Sequence, residues 1–257
     1  MSDRLSPTHS KGQTRARPGR LVEGPALDAL RDSSRARPTA RRLALACLAV
    51  FLLAVGVRLL YWQDTRHDFV YQGMGEEYKA HSLALYRGDW RLFVYGPDPP
   101  SDANVAKHPP GWPILSAAVF KIFGPRDAPL RFVNVLLDAL AAVLVLLLAV
   151  ELFPFAVGVV AGSLVALSPQ LAYHSVTLVP DPTAVSPLLL GLYLFVRATK
   201  RPSLLTVAAA GVLLGVSCWL RSNALLLPFF LAALVPFLFE RGRRLRLAAV
   251  LVGAFLL

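Results

Sequence analysis

Long apolar runs are the feature of this sequence that most restricts how the chain can fold. Several of them are long enough to form helices that cross a hydrocarbon core of roughly 30 Å. Hydrophobic residues make up 55% of the 257-residue chain, and its mean hydropathy of +0.53 is well above that of an ordinary soluble domain. We therefore expect an all-α protein, a polytopic bundle of transmembrane helices.

Run length and flanking charge predict about seven spans. The first six are expected over residues 43–62, 130–152, 155–173, 183–196, 204–220 and 224–239. Pro154 should supply a tight turn between the second and the third. The seventh run covers only residues 245–257 and lacks a closing charged flank. We therefore expect its span to be incomplete and the sequence to be truncated at its C-terminus.

The positive charge of the chain fits a membrane protein better than a nucleic-acid partner. The formal net charge is +11, and the basic residues gather in the N-terminal arm and in short loops between apolar runs. Residues 1–42 are rich in Arg, Ser, Pro and Gly with almost no apolar periodicity. They predict a disordered basic arm on the cytoplasmic side. Residues 43–257 then form the transmembrane module.

One apolar segment, residues 112–123, is too short for a span and suits an interfacial or re-entrant helix. If it does not span, the basic loops around Lys200 and Arg243 lie on the cytoplasmic side with the N-terminus, as the positive-inside tendency favours. The outer loop 63–129, which carries the interfacial helices, then faces the same outer compartment as the short turn 179–182.

Acids and bases concentrate in these outer segments. The outward-facing candidates are Glu76, Glu77, Lys107, His108, Asp181 and Arg221. A carboxylate can deprotonate an acceptor hydroxyl, and a cation can offset charge on a phosphate leaving group. A lipid-phosphate sugar donor needs this combination at the bilayer surface, so we expect any chemistry to occur here.

Several short motifs follow one another between residues 43 and 240. They are an acidic cluster before Tyr78 with Ala80 and Gly88, the run 107–113 (KHPPGWP), Phe123-Gly124 followed by Arg131, Pro180-Asp181, and Gly211 and Gly215 leading to Arg221. Their order and spacing resemble the integral-membrane glycosyltransferases of the GT-C type. The most similar branch contains protein O-mannosyltransferases, aminoarabinose lipid A transferases and RgtA/B/C/D-like transferases.

The resemblance implies roles for particular residues. An acidic residue of the first outer loop would be the general base, which here means Glu76 or Glu77, with Asp181 as a further catalytic carboxylate. The basic residue beside the Pro-Pro pair would contact the donor phosphate, which assigns that role to His108 with its neighbour Lys107, together with Arg221. Tyr78 and Arg131 would position the acceptor or the donor.

One position departs from the family pattern. The family places an Asp about four residues before the tyrosine, and this chain has Met74 there. Two alternatives follow: the base has moved to one of the two nearby glutamates, or this member has lost or altered its catalysis.

The function implied is transfer of a sugar from a polyprenyl-phosphate donor to the hydroxyl of a glycan, lipid or protein acceptor, by inverting displacement at the outer face of the cell membrane. The alternative is a non-catalytic membrane assembly protein or a transporter of envelope glycolipids. The partners expected are that donor, the acceptor and membrane lipids. No cofactor is expected and no metal-ligand spacing occurs, although carboxylates of two loops would suit a divalent cation.

The charged residues near the bilayer also have plain structural interpretations. Asp181 can act as a turn residue and helix cap before the fourth span. Arg58 and Arg131 can snorkel outward from the ends of their apolar segments. Asp138 stands two helical turns after Arg131 on the same face, which favours a structural pair between these two residues.

Overall fold

Helices dominate the computed structural model, which describes residues 38–65, 75–95 and 109–257. Helix accounts for 87% of those residues, and no strand occurs among them. Two 3-10 turns, Ser222–Ala224 and Arg241–Arg243, lie in the last third of the chain. The α-helices of the described residues are α1 (Ala40–Asp64), α2 (Gly75–Arg87), α3 (Trp90–Tyr95), α4 (Gly111–Phe123), α5 (Asp127–Leu152), α6 (Phe155–Leu167), α7 (Pro169–Val176), α8 (Asp181–Lys200), α9 (Leu204–Leu220), α10 (Leu227–Leu238) and α11 (Arg244–Leu256).

Three of these helices, α1, α5 and α8, are long and apolar enough to cross a membrane. They contain 25, 26 and 20 residues, which corresponds to about 30–39 Å at 1.5 Å per residue. α1 turns large apolar side chains such as Leu52 and Leu60 away from the protein, 59% and 68% exposed. Lipid is the environment that suits such a surface. The helices predicted over 43–62, 130–152 and 183–196 are confirmed.

The third predicted span is a bent pair of helices. α6 and α7 meet at Ser168 with an angle of 52° between them. Pro169 has no N–H to donate to the preceding turn, and the Ser168 side chain accepts the N–H of Leu171 at 3.5 Å, which starts a new helix. The span predicted over 155–173 is therefore helical but broken at Ser168. Counting the pair as one broken span gives four candidate spans among the described residues.

Arg58 of α1 stabilises the break between α6 and α7 with hydrogen bonds made inside the bundle. Its side chain is 0% exposed. Nε donates to Oδ2 of Asp138 at 2.5 Å, and Nη1 donates to the carbonyl of Ala166 at 2.9 Å. That carbonyl belongs to the last turn of α6, where helical donors run out. Two expectations are corrected here: Arg58 does not snorkel outward, and Asp138 pairs with a residue 80 positions away rather than with Arg131.

Arg131, Asn134 and Asp138 form a polar stripe along one face of α5, and its first two residues hold the end of α7. Arg131 is 5% exposed, so it does not snorkel either. Its Nε donates to the carbonyl of Val176 at 2.7 Å and its Nη2 donates to Oγ1 of Thr65 at 2.9 Å. Asn134 donates to the carbonyl of Thr177 at 3.3 Å. These bonds fix the short segment that leads into α8.

The last helices pack closely at small residues. α8 and α9 are antiparallel neighbours joined by residues 201–203, and α9 lies against α11. A Cβ built on Gly211 of α9 would collide with the carbonyl oxygen of Leu251, so the two backbones lie very close together. The helix predicted over 204–220 is confirmed. The helix predicted from residue 224 starts three residues later, because a 3-10 turn comes first.

Two helices of the loop 63–129, α2 and α4, pack on each other at the end of the bundle where α8 begins. Tyr78, Trp112, Phe120 and Leu178 share one buried cluster there. α4 buries one face and exposes the other, with Ile122 73% exposed. The helix predicted over 112–123 is thus confirmed, and its 13 residues measure only about 20 Å.

Candidate functional site

The candidate site is built around an ion pair between two helix ends. Asp181 is the first residue of α8, and Arg221 follows the last residue of α9. Because a three-residue link joins these antiparallel helices, the start of one lies beside the end of the other. A guanidinium N–H of Arg221 donates to Oδ2 of Asp181, and the side chains are 34% and 41% exposed. The pair is therefore accessible to a ligand from outside the bundle.

Arg221 has hydrogen-bonding capacity beyond this pair. Its Nε is buried, and no residue in the described ranges accepts a hydrogen bond from it. A guanidinium offers five N–H donors in a planar fork that matches phosphate oxygens. A phosphate at this position would bind the exposed part of the guanidinium and would share the cation with Asp181.

Tyr78 of α2 lies close to the pair. Its side chain is 6% exposed, in the cluster that it shares with Leu178 just before α8. Burial raises the pKa of the Tyr78 phenol, while the Arg221 cation opposes the rise and the Asp181 and Glu77 carboxylates add to it. The phenol therefore stays protonated at neutral pH and can donate a hydrogen bond.

The start of α4 approaches the same end of α9. A Cβ built on Gly111 would lie 2.5 Å from the carbonyl oxygen of Trp219 and 2.9 Å from the backbone nitrogen of Leu220. No side chain fits at that distance, so glycine is required for α4 to start beside the turn that carries Arg221. The Pro-Pro-Gly motif and the arginine are thus brought together, although more than a hundred residues separate them.

The other predicted site residues lie at the edge of this group or outside the described ranges. Glu76 and Glu77 form the exposed first turn of α2, next to the buried tyrosine. Lys107, His108 and Met74 fall in the segments that the structure does not describe.

Arg131 occupies a different position from the ion pair. Its guanidinium is committed to α7 and α1, and it lies over the Trp62 ring with its carbon 5.3 Å from the ring centroid. Through its bond to the carbonyl of Val176, Arg131 holds the start of the segment that leads to Asp181. Asn134 belongs to this group and was missed by sequence reasoning. Its place between Arg131 and Asp138, one helical turn from each, is the signal that could have identified it.

The described residues contain no group of three or more His, Cys, Asp or Glu side chains that could hold a metal ion. Two of the carboxylates considered for a divalent cation, Glu76 and Glu77, are adjacent on α2, while Asp181 is paired with an arginine.

An apolar cavity of ≈ 730 Å³ opens beside the ion pair. Its lining includes Leu220, which precedes Arg221, and Thr183, which follows Asp181 by half a turn. Gly111, which approaches the backbone of Leu220, also belongs to it. From there it extends along Pro187, Trp219 and Phe255 between α4, α5, α8, α9 and α11. The site therefore combines an exposed ion pair with an adjoining space suited to hydrocarbon.

Comparison with known proteins identifies one family. A family model described as dolichyl-phosphate-mannose-protein mannosyltransferase matches residues 107–257, which is more than half of the chain. The match starts at Lys107 and contains every helix from α4 to α11. A comparison with curated proteins found no match.

Proposed function

The chain belongs to the dolichyl-phosphate-mannose-protein mannosyltransferase family, and on this premise we propose that it moves a sugar from a polyprenyl-phosphate carrier to an acceptor hydroxyl at the outer face of the cell membrane. The acceptor is a glycan, a lipid or a protein. The sugar–phosphate bond of the donor is already activated, so the reaction needs no nucleotide.

The observation that carries the proposal is that the Asp181–Arg221 pair adjoins the apolar cavity, whose lining includes Leu220 and Thr183. A lipid-phosphate sugar has an anionic group between a hydrocarbon tail and a sugar. The guanidinium suits the phosphate, the cavity suits the first isoprene units of the tail, and the solvent side leaves space for sugar and acceptor.

The reaction is a single inverting displacement. The acceptor oxygen forms a bond to the anomeric carbon while the bond from that carbon to the phosphate oxygen breaks. A carboxylate, Glu76 or Glu77, takes the acceptor proton, and the electron pair of the broken bond stays on the phosphate. Arg221, together with His108 and Lys107, offsets that charge. Asp181 orients Arg221, and Tyr78 donates a hydrogen bond to the donor or the acceptor.

The proposal includes a GT-C bundle of about seven spans with a cytoplasmic N-terminus. Its support is the distribution of charge: α8 starts at the candidate site and ends near Lys200 and Arg201, and the 3-10 turn before α11 adds two more arginines. In this arrangement α9 and α10 are shorter spans, α11 is the incomplete seventh, and α2 and α4 lie in the outer interface.

A transfer assay with purified protein and a polyprenyl-phosphate sugar tests the chemistry. Glu76→Gln and Glu77→Gln, singly and combined, should identify the base by a fall in turnover of about a hundredfold or more. Donor binding should survive that change, whereas His108→Ala should weaken it. Asp89→Asn is the matched control, because this exposed carboxylate caps α3 and asparagine caps as well.

Wild-type turnover in both single variants and in the double variant would eliminate these bases. Met74 would then mark a family member that does not transfer sugar by this route.

A labelling experiment tests the orientation independently. Single cysteines at Asp98 and Lys200, in a chain without its two native cysteines, are exposed to an impermeant thiol reagent in intact cells. We expect label at position 98 and none at position 200. The reverse pattern would place the candidate site on the wrong side of the membrane for this reaction.

A further inference from the structure

A second cavity, ≈ 270 Å³ in volume, lies between the start of α1 and the ends of α5 and α8. It is far from the ion pair, because Asp181 and Lys200 are the first and last residues of the 20-residue helix α8, about 28 Å apart along its axis. The two cavities therefore sit at opposite ends of one helix, and the reaction proposed above makes no use of the second.

Cations outnumber acids in its lining. Arg197, Lys200 and Arg201 stand against one carboxylate, that of Glu151. Nζ of Lys200 donates to Oε2 of Glu151 at 2.6 Å, so this lysine is neutralised. Within the described ranges neither Arg197 nor Arg201 forms an ion pair. Three cations less one carboxylate leave an excess of two positive charges around the space.

One of these arginines is held in place by its own helix. Nη1 of Arg197 donates to the hydroxyl of Tyr193 at 2.9 Å, and the guanidinium carbon lies 6.0 Å from the centre of that ring. The Arg197 side chain is therefore already ordered in part, so binding of an anion costs less conformational entropy. Among the described residues Tyr193 is the only hydrogen-bond partner of the Arg197 side chain, so the other N–H groups of its fork can bind a ligand.

The rest of the lining combines a helix start with apolar side chains. Ala40 begins α1, whose first turn is capped by Thr39, and the positive end of this 25-residue helix adds to the field of the arginines. Leu43 and Val150 supply an apolar wall. Because α1 and α5 are candidate membrane spans, the ends that form the cavity lie at a membrane surface.

We propose that this cavity binds the phosphate-bearing headgroup of an anionic phospholipid. The arginine forks suit the phosphate oxygens, and the wall of Leu43 and Val150 suits the start of the acyl chains. A volume of ≈ 270 Å³ is just below the range of roughly 300–1,000 Å³ that holds a whole small molecule, so a headgroup fits. Free phosphate shares the charge but gains nothing from the apolar wall.

Titration of the purified protein with phosphatidylglycerol, followed by native mass spectrometry and by binding in phosphatidylcholine nanodiscs, tests the site. The test variant Arg197→Gln/Arg201→Gln removes both unpaired cations of the cavity. The control Arg241→Gln/Arg243→Gln removes two exposed arginines that lie outside the cavity. Each surface arginine strengthens attraction to an anionic bilayer by about fivefold, so general attraction predicts the same roughly 30-fold loss for both.

We expect the test variant to lose phosphatidylglycerol binding by about a hundredfold, with a loss in the control of about 30-fold or less. Tyr193→Phe, which releases Arg197 but keeps every charge, should weaken binding by a few fold. Equal losses in the two double variants would show general attraction only and would overturn the site. Binding of inorganic phosphate as tight as that of phosphatidylglycerol would also overturn it, because the ligand would then be a soluble anion.

Discussion

Neutralising Asp138 should destabilise the protein more than any surface change. Asp138→Asn leaves the Arg58 guanidinium, 0% exposed, without its counter-ion at 2.5 Å. Removal of one partner of a buried ion pair costs about 3–5 kcal/mol. At about 2–4 °C per kcal/mol for a chain of this size, the unfolding temperature should fall by about 6–20 °C.

Removing both charges should cost less than removing one. In Arg58→Met/Asp138→Leu no charge stays buried, and exchange of a buried pair for apolar side chains is close to neutral. The carbonyl of Ala166 at the α6–α7 break loses its 2.9 Å donor, however. One unsatisfied carbonyl costs about 1–3 kcal/mol, so the double variant should melt between Asp138→Asn and the wild type.

Thermal unfolding in detergent micelles, followed by circular dichroism, measures this order. Lys79→Gln is the control, because it removes a half-exposed pair in which Nζ lies 3.2 Å from Oδ2 of Asp127. Such pairs contribute about 0–1 kcal/mol. If Asp138→Asn melts with the control, or if the double variant is the least stable of the three, the buried pair does not stabilise the break as described.

Three further predictions concern the candidate site and its support. Gly111→Ala should destabilise the protein by about 1–3 kcal/mol, because the added Cβ would lie 2.5 Å from the backbone of α9. The control Gly253→Ala, whose Cβ would have nothing within 4 Å, should be neutral or slightly stabilising. Equal melting temperatures for the two variants would contradict the close contact. Burial raises the pKa of the Tyr78 phenol, so the stability contributed by its neutral form is complete below the ordinary phenol pKa and is lost as pH rises from there through the folded-state pKa. Ultraviolet titration should show one phenol that ionises later than the others in the wild type and that is missing in Tyr78→Phe. Arg131→Lys should lower the free energy of unfolding by about 1–3 kcal/mol, because the carbonyl of Val176 in α7 then loses its hydrogen-bond donor. An unchanged melting curve would show that the guanidinium fork is not required.

The helices of this protein follow from local sequence, and their interruptions do not. Residues 204–220 are apolar and flanked by polar residues, and the helix found there has those same ends. Ser168-Pro169 is a helix-start signal inside an apolar run that is long enough for one span. The bend there depends on Arg58 reaching the freed carbonyl from another helix, and no local pattern contains that contact.

The candidate site was predictable as a neighbourhood but not as a set of bonds. Helix order and loop charge place Asp181, Arg221 and the outer loop at one end of the bundle, and the structure brings them together there. The direct bond between Asp181 and Arg221 depends on how far α9 extends beside α8. The adjoining cavity needs side chains from five helices, so its volume is a property of packing that the one-dimensional pattern does not encode.

The contact between Gly111 and α9 limits how α4 can move beside the candidate site. With backbone atoms already at their limit of approach, α4 cannot rotate toward α9 about its first residue without a collision at Trp219. The start of α4, in the C-terminal part of the loop 63–129, is thus held in a fixed position against the bundle. A movement that widens the site would therefore have to come from another element, such as α2, which carries Glu76, Glu77 and Tyr78 and packs on α4 through side chains of the Tyr78 cluster.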